Sequence, residues 1–167
     1  LADAGIQTHA VIDNTRPTTN KNVIVADSYR LVKIDTVDST PMSENIVAQL
    51  CDQISSTAVE CVVFSDFRHG MFNKSSIPIL EEAIPEGAMR VADSQVSTRW
   101  GNITEFQNFD LVTPNEREAR FALADQDSTI GVLAANVRNA TKSANVILKL
   151  GGRGVFCIGE PGYQSVD

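Results

Sequence analysis

Long apolar runs, an excess of positive charge and paired cysteines are all missing from this sequence. Its longest unbroken apolar runs are four residues, as in Cys61-Val62-Val63-Phe64, whereas a membrane-spanning helix needs about 20. Lys and Arg number 14 against 21 Asp and Glu, for a formal charge of −7, and no basic block is present. We therefore expect neither a membrane nor a nucleic acid as a partner.

Only three cysteines are present, Cys51, Cys61 and Cys157, and no two of them have CxxC spacing. A structural zinc site would need more Cys or His ligands than this. Free thiols in a reducing compartment are the simpler interpretation, so we expect a cytoplasmic protein.

The first 38 residues differ in pattern from the rest of the 167-residue chain. Residues 8–13, 19–26 and 29–37 predict short strands, and Asp27-Ser28 between the last two predicts a hairpin. No helical pattern surrounds this hairpin. We predict a small β lid over residues 1–38 and an α/β core over residues 39–167.

From residue 39 onward, short apolar runs alternate with helical patterns. A helix is expected to begin at Thr40-Pro41, and the apolar run 60–65 is typical of a strand buried on both faces. This alternation implies parallel strands joined by crossovers, hence an open α/β sheet with helices on both faces. The other strands are expected at 88–92, 109–112, 145–150 and 154–158, and the other helices at 75–84, 115–123 and 128–144.

Polar or glycine-rich segments follow four successive strands of this core. They are Asp66, Asp93, Thr113-Pro114-Asn115 and Gly151-Gly152. Ligands of open α/β sheets bind beyond the carboxyl ends of the strands. We therefore predict that Asp66, Asp93, Asn115 and Gly151 lie on one edge of the sheet, where a site can form.

Each of these segments also has a purely structural interpretation. Asn115 and Glu118 have the spacing of a helix capping box. From spacing alone, this structural interpretation is favoured over a functional one. The glycines of 151–154 suit a tight turn, and residues 66–70 suit a solvated turn. Trp100 is expected to be a packing anchor rather than a stacking platform.

Four segments of the chain closely resemble the ribokinase-like (PfkB) carbohydrate kinases. Two are similar to motifs of that family, Asn-x-x-Glu within residues 112–119 and Leu-Gly-x-x-Gly within residues 148–155. Residues 64–70 resemble its Ser-Asp-Tyr-x-Lys-Gly segment. The lid strings, residues 16–21 and 29–35, are similar to those of the heptose-phosphate kinase branch.

The resemblance implies a Rossmann-like α/β domain of the ribokinase type with a β lid. Such a domain transfers the γ-phosphoryl group of ATP to a sugar or sugar-phosphate hydroxyl, with Mg²⁺ and often K⁺. Asn115 and Glu118 would hold phosphate and Mg²⁺-bound water, which makes Glu118 the expected metal residue. Lys149, Gly151 and Gly154 would border the nucleotide. Such chemistry depends on positioning and charge neutralisation.

By the same resemblance, Lys21, Asp66 and Asp93 would lie toward the sugar. The lid often takes part in dimer contacts in this family, so a homodimer through the β lid is expected.

The chain departs from the family pattern in several places. Lys149 stands where Thr or Ser is usual, His69 where Lys is usual, and Asp93-Ser94-Gln95 where many members have Asp-Pro-Lys. The Gly-Ala-Gly-Asp motif, which supplies the anion hole and the catalytic base, does not occur in these 167 residues. We therefore expect the central portion of a longer kinase. The alternatives are a non-catalytic sugar- or nucleotide-binding module and a different α/β enzyme whose resemblance to the family is accidental.

The 167-residue chain is expected to show no sugar-kinase turnover, because phosphoryl transfer needs a base at the acceptor hydroxyl and donors aimed at the transferred phosphate. ATP turnover with a panel of sugars and sugar phosphates tests this. A rate well above the uncatalysed one, abolished by Asp66→Asn or Asp93→Asn, would contradict the expectation.

Overall fold

The computed structural model describes residues 2–95, 102–160 and 162–166, so Trp100 lies outside the described residues. Short 3₁₀ turns occur at Ala2–Ala4, Ile103–Glu105 and Gly151–Arg153. The strands are β1 (Asn20–Ala26), β2 (Tyr29–Thr36), β3 (Cys61–Asp66), β4 (Met89–Ser94), β5 (Leu111–Val112), β6 (Asn145–Lys149), β7 (Val155–Gly159) and β8 (Gly162–Val166), and the helices are α1 (Glu44–Ser56), α2 (Ser76–Glu82), α3 (Glu116–Leu123) and α4 (Ile130–Thr141).

Six strands form the main sheet in the order β3-β4-β5-β6-β7-β8. The pairs from β3 to β6 are parallel, which confirms the predicted open α/β sheet, whereas β7 and β8 are antiparallel additions. The connection from β6 to β7 is a short turn at Gly151–Arg153, and a connection this short can only join antiparallel strands. Strand β8 was not predicted, because its sequence lacks an apolar run.

The helices cover one face of this sheet. Strands β3 to β6 are adjacent in the sheet in the same order as in the sequence, so each connection moves one strand further in the same direction. Right-handed connections of this kind place every connecting helix on the same side of the sheet. On that side Phe64, Ala92 and Leu148 are buried. On the other side the Val63 side chain is 58% exposed and Met89 is 40% exposed. The expectations of helices on both faces and of a fully buried β3 are therefore wrong for the described residues.

Four phenylalanines fill the space between the sheet and the helices. Phe64 stacks on Phe72 with ring centroids 5.0 Å apart, and Phe106 meets Phe109 edge to face at 5.6 Å. Phe106 also packs against Phe72 at 5.8 Å, so the rings form one cluster. The aliphatic side chains of α4 join this core, and Leu133, Ala134 and Val137 are buried as predicted.

Helix α1 begins later than expected. Ser43, not Thr40, is its N-cap, and the Ser43 hydroxyl accepts a hydrogen bond from the Ile46 amide at 3.4 Å. A serine side chain can satisfy a free amide of the first turn, whereas Pro41 lies ahead of the helix. Helix α1 then buries Ile46 and Val47.

Strands β1 and β2 form the predicted hairpin as a separate antiparallel sheet. All of their residues are exposed, and a bulge lies between Ile24 and Val25. The strand predicted at 8–13 is wrong, because no strand in the described structure pairs with it. Instead, the carboxylate of Asp13 accepts hydrogen bonds from the Thr15 amide at 2.9 Å and the Arg16 Nε at 2.8 Å, which forms a local turn. None of the described helices has the length and apolarity to cross a membrane.

Truncating Phe106 to Ala is expected to lower the free energy of unfolding by about 3–5 kcal/mol, because Phe106 is fully buried and its loss leaves a cavity among the rings. Urea unfolding followed by fluorescence measures this. The control is Phe121→Ala, whose exposed side chain should cost only about 0.5 kcal/mol. Equal losses for the two variants would contradict this description of the core.

Candidate functional site

The four predicted segments lie on one edge of the main sheet. Asp66 pairs with Ser94 at the ends of β3 and β4, and the Thr113 amide bonds the Ala92 carbonyl at 3.0 Å. Asn115 forms an isolated parallel bridge with Lys149, directly before the Gly151 turn. The prediction of a shared edge is confirmed, because all of these contacts are made at the carboxyl ends of parallel strands.

A polar link crosses three strand ends at this edge. The Oδ1 atom of Asp93, one of the last two residues of β4, accepts a hydrogen bond from the Thr113 hydroxyl at 3.0 Å and from Lys149 Nζ at 2.7 Å. Asp93 and Lys149 keep 38% and 41% of their side-chain surfaces exposed, so a ligand can reach both. A partly exposed ion pair of this kind contributes little to stability and can be rearranged at low cost.

Asn115 and Glu118 form a complete capping box at the start of α3. The Asn115 Oδ1 atom accepts from the Glu118 amide at 2.8 Å, and Glu118 Oε2 accepts from the Asn115 amide at 2.7 Å. The structural interpretation of this pair is therefore confirmed. Glu118 is buried, and its Oε1 atom makes no further hydrogen bond with the described residues.

The Mg²⁺ ion implied by the resemblance fits this edge only in part. Among the residues that the structure describes, no three His, Cys, Asp or Glu side chains converge as metal ligands. Mg²⁺ commonly takes one or two carboxylates together with waters and phosphate oxygens. Glu118 can supply one such carboxylate oxygen, so the remaining ligands would have to come from water and the nucleotide.

Beside the capping box lies an open cavity of about 740 Å³. Three cations and one anion line it, which gives the lining a charge of +2 in a chain of net charge −7. One wall is apolar. The charged residues are Arg117, Arg120, Lys149 and Glu116. The apolar wall is formed by Phe121, Ala124 and Leu150, and the lining is completed by Asn115, Gln126 and Gly151.

Glu116 lies between two guanidinium groups at the rim of this cavity. Its Oε1 atom accepts from Arg120 Nε at 3.0 Å and Nη2 at 2.8 Å, and its Oε2 atom pairs with Arg153. The Arg120 hydrogen bond is the largest cause that lowers the pKa of Glu116 below its ordinary value. Burial opposes it, and the hydrogen bond and charge of Arg153 add to the lowering. Glu116 therefore remains ionised at neutral pH.

Sequence reasoning missed this cluster of Glu116, Arg120 and Arg153. The i, i+4 spacing of Glu116 and Arg120 within a predicted helix is a usable signal for one of the two ion pairs. The Arg153 contact joins segments 37 residues apart and has no sequence signature.

The solvated-turn interpretation of residues 66–70 is wrong for the two charged residues, which are buried, whereas Phe67 between them is exposed. Asp66 is 2% exposed and Arg68 is 5% exposed. The Arg68 guanidinium contacts the Asp66 carboxylate at 2.8 Å, the Glu105 carboxylate at 2.8 Å and the Ser94 hydroxyl at 2.9 Å. Ser94 in turn donates to Asp66 at 2.8 Å. Both oxygens of Asp66 are thus occupied within the protein, since the Arg68 amide bonds the other at 2.7 Å.

The sharp backbone of this turn depends on Gly70. Its φ is +87°, and a Cβ atom there would lie 2.2 Å from the Thr40 carbonyl oxygen. The same carbonyl accepts a hydrogen bond from Arg16 at 2.9 Å. A side chain at position 70 would therefore displace the segment that precedes α1.

The base of the hairpin contacts this turn. Lys21 Nζ lies 5.1 Å from the centre of the Phe67 ring, and the Thr19 hydroxyl is 3.3 Å from His69 Nδ1. Burial and the nearby Lys21 ammonium lower the pKa of His69, so the ring is mostly neutral at pH 7. The structure thus brings Lys21 close to the turn that holds Asp66, while Asp93 contacts Lys149 at the cavity.

No family model matches the chain. Among characterised proteins, the bifunctional protein HldE of Pelobacter propionicus is 26% identical over 148 residues, which are 87% of this chain and 28% of the relative. HldE of Helicobacter hepaticus is 23% identical over 126 residues, 71% of this chain and 25% of the relative. The chain therefore spans about a quarter of the length of these relatives.

Solved structures of sugar kinases share the fold. Ribokinase from Giardia lamblia superposes with a TM-score of 0.73 at 17% identity, over 99% of this chain and 56% of that one. The PfkB protein from Polaromonas gives 0.67 at 20% identity, over 99% and 59% of the two chains. Phosphofructokinase-2 from Escherichia coli, solved with fructose-6-phosphate, gives 0.61 at 17% identity, over 81% and 46%. These neighbours confirm the predicted ribokinase-like fold.

Replacing Arg68 by Met is expected to lower the free energy of unfolding by about 3–5 kcal/mol, because it leaves the Asp66 and Glu105 carboxylates buried without their cation. Chemical denaturation measures the loss. The control is Arg90→Met, which breaks the half-exposed pair with Glu81 and should cost about 0–1 kcal/mol. An Arg68 variant as stable as the control would show that the network does not hold the turn.

Proposed function

We propose that this chain is the central portion of an ATP-dependent sugar kinase and that its cavity takes the nucleotide. The observation that carries the proposal is the cavity itself, with a lining of charge +2 in a chain of net charge −7. It lies at the carboxyl edge of a parallel sheet, where α/β folds bind ligands. Its cations suit a polyphosphate, and its apolar wall suits a base.

The nucleotide-side residues would act in distinct ways. Lys149 would attract the phosphates once its ion pair with Asp93 opens, and the fixed helix start of Asn115 and Glu118 would hold phosphate and a Mg²⁺-bound water. Gly151 and Gly154 adopt φ values of +64° and +78°. Nothing lies within 4 Å of a Cβ atom placed on Gly151, so the nucleotide can approach the backbone closely.

On the sugar side, we propose Lys21, Asp66 and Asp93, with a sugar or sugar phosphate as the acceptor and K⁺ as an additional ion. Lys21 and Asp93 are accessible, whereas the Asp66 carboxylate is already occupied by Arg68 and Ser94. Asp66 would then act by shaping the turn that carries Phe67 and His69. Asp93 connects the two sides, because its carboxylate contacts Lys149.

The same proposal divides the chain into a β lid with its connection, residues 1–38, and a partial kinase core, residues 39–167, in a cytoplasmic protein. The hairpin exposes Val23, Ile24 and Leu31, each more than two-fifths accessible. An open pair of strands with apolar side chains favours association, so we propose a homodimer through the lid. Light scattering of the chain with and without residues 20–36 would test this arrangement.

One observation favours the alternative of a non-catalytic binding module for these residues. Neither candidate carboxylate is free to act as a base, since Asp66 is engaged by Arg68 and Asp93 by Lys149 and Thr113. A chain that binds nucleotide but does not turn it over fits both the module and the central portion of a kinase. Gly-Ala-Gly-Asp encoded beyond the residues given would favour the kinase.

The test is isothermal titration of the chain with ATP and ADP in the presence of Mg²⁺. We expect binding, and Lys149→Gln should weaken it about tenfold through the loss of a charge-assisted phosphate contact. Lys74→Gln is the matched control, since Lys74 lies exposed in the loop before α2 and does not line the cavity. The absence of binding by either nucleotide at millimolar concentration would overturn the proposed nucleotide site.

A further inference from the structure

Two arginines share the Glu116 carboxylate, and they differ in how firmly they are held. Arg120 uses all five of its N–H donors, on Glu116 and on the carbonyls of Gln126 and Ser128. Its guanidinium is therefore fixed by the first residue of α3 and by the loop that follows the helix. The Glu116 carboxylate is fixed as well, because its Oε1 atom accepts a hydrogen bond from Arg120.

Arg153 is held far more loosely. Its side chain is 63% exposed, and its only hydrogen bond with the described residues runs from Nη2 to Glu116 Oε2. Four of its five donors are thus left to solvent. An exposed ion pair contributes about 0–1 kcal/mol, so this contact opens readily.

The turn that carries Arg153 adjoins the cavity. Gly151 lines the cavity, and Arg153 is the last residue of the same three-residue turn. Gly152 and Gly154 flank Arg153, and no atom crowds a Cβ position at Gly151 or Gly152. The backbone can therefore reorient the guanidinium at low steric cost.

We propose that Arg153 is a phosphate-binding residue that exchanges Glu116 for the nucleotide. With the cavity empty, Glu116 holds the guanidinium at the rim. When a nucleoside di- or triphosphate enters, Arg153 leaves Glu116 and binds phosphate oxygens. A planar guanidinium fits them as well as it fits a carboxylate, and the phosphates carry more charge. This inference rests on the proposed nucleotide site and adds to it a residue and an exchange.

Titrations with ATP, ADP and adenosine test the assignment of Arg153. Arg153→Gln should weaken ATP and ADP binding about tenfold and leave adenosine binding unchanged, because only the phosphates contact the guanidinium. Arg138→Gln is the control, since Arg138 lies in the last turn of α4, which leads to the opposite edge of the sheet. If the wild-type chain binds ATP and Arg153→Gln binds it with equal affinity, this inference alone is wrong. If the wild-type chain binds neither nucleotide, the proposed nucleotide site itself is wrong.

A double-mutant cycle tests the exchange itself. In Glu116→Gln, the amide oxygen can still accept the hydrogen bond from Arg120, but the ion pair with Arg153 is lost. Arg153 is then free to bind phosphate, so the affinity for ATP should rise about two- to fivefold. In the Arg153→Gln background the same substitution should give no gain, because no guanidinium remains to be released. An equal gain in both backgrounds would show that Glu116 merely repels phosphate, and the exchange would be wrong. Thermal unfolding of each variant checks that the fold is retained.

Discussion

The burial of Arg68 at the end of β3 is the interaction on which the edge formed by β3 and β4 depends. A buried guanidinium is tolerated only when its charge is compensated, and here Asp66 and Glu105 supply two carboxylates. The Ser94 hydroxyl accepts a hydrogen bond from Arg68 and donates one to Asp66. The network ties the end of β3 to the end of β4 and to the 3₁₀ turn at Ile103–Glu105. Because it fixes the turn at residues 66–70, it also sets where Phe67 and His69 meet the hairpin.

Charge is distributed unevenly over the molecule, and this distribution connects the fold to the proposed chemistry. The chain as a whole would repel a polyphosphate, yet the cavity lining reverses the sign locally. Two cations at this edge are held by acids, Lys149 by Asp93 and Arg153 by Glu116. These pairs keep the cations ordered at low energetic cost, and they can be exchanged for a ligand that carries greater negative charge.

The sequence predicts what local rules determine. The β4 strand, the α4 core face and the Asn115–Glu118 capping box follow from periodicity and spacing, and the shared edge follows from parallel strand order. The Arg68–Glu105 and Glu116–Arg153 ion pairs join segments that are distant in sequence, so no local pattern predicts them. Residues 8–13 have strand propensity without a pairing partner, which shows that propensity alone does not make a strand.

The uncovered face of the main sheet has a consequence for how such a chain is made. Strand β3 presents Val63 to solvent on that face, and Met89 of β4 lies in the same open layer. The helix-covered layer can close early in synthesis, since its strands and helices follow one another in sequence. The opposite layer keeps apolar side chains exposed, and exposed apolar sheet surface promotes association between nascent chains. Chains that meet through this face before they finish folding are therefore expected to lower the yield of folded protein.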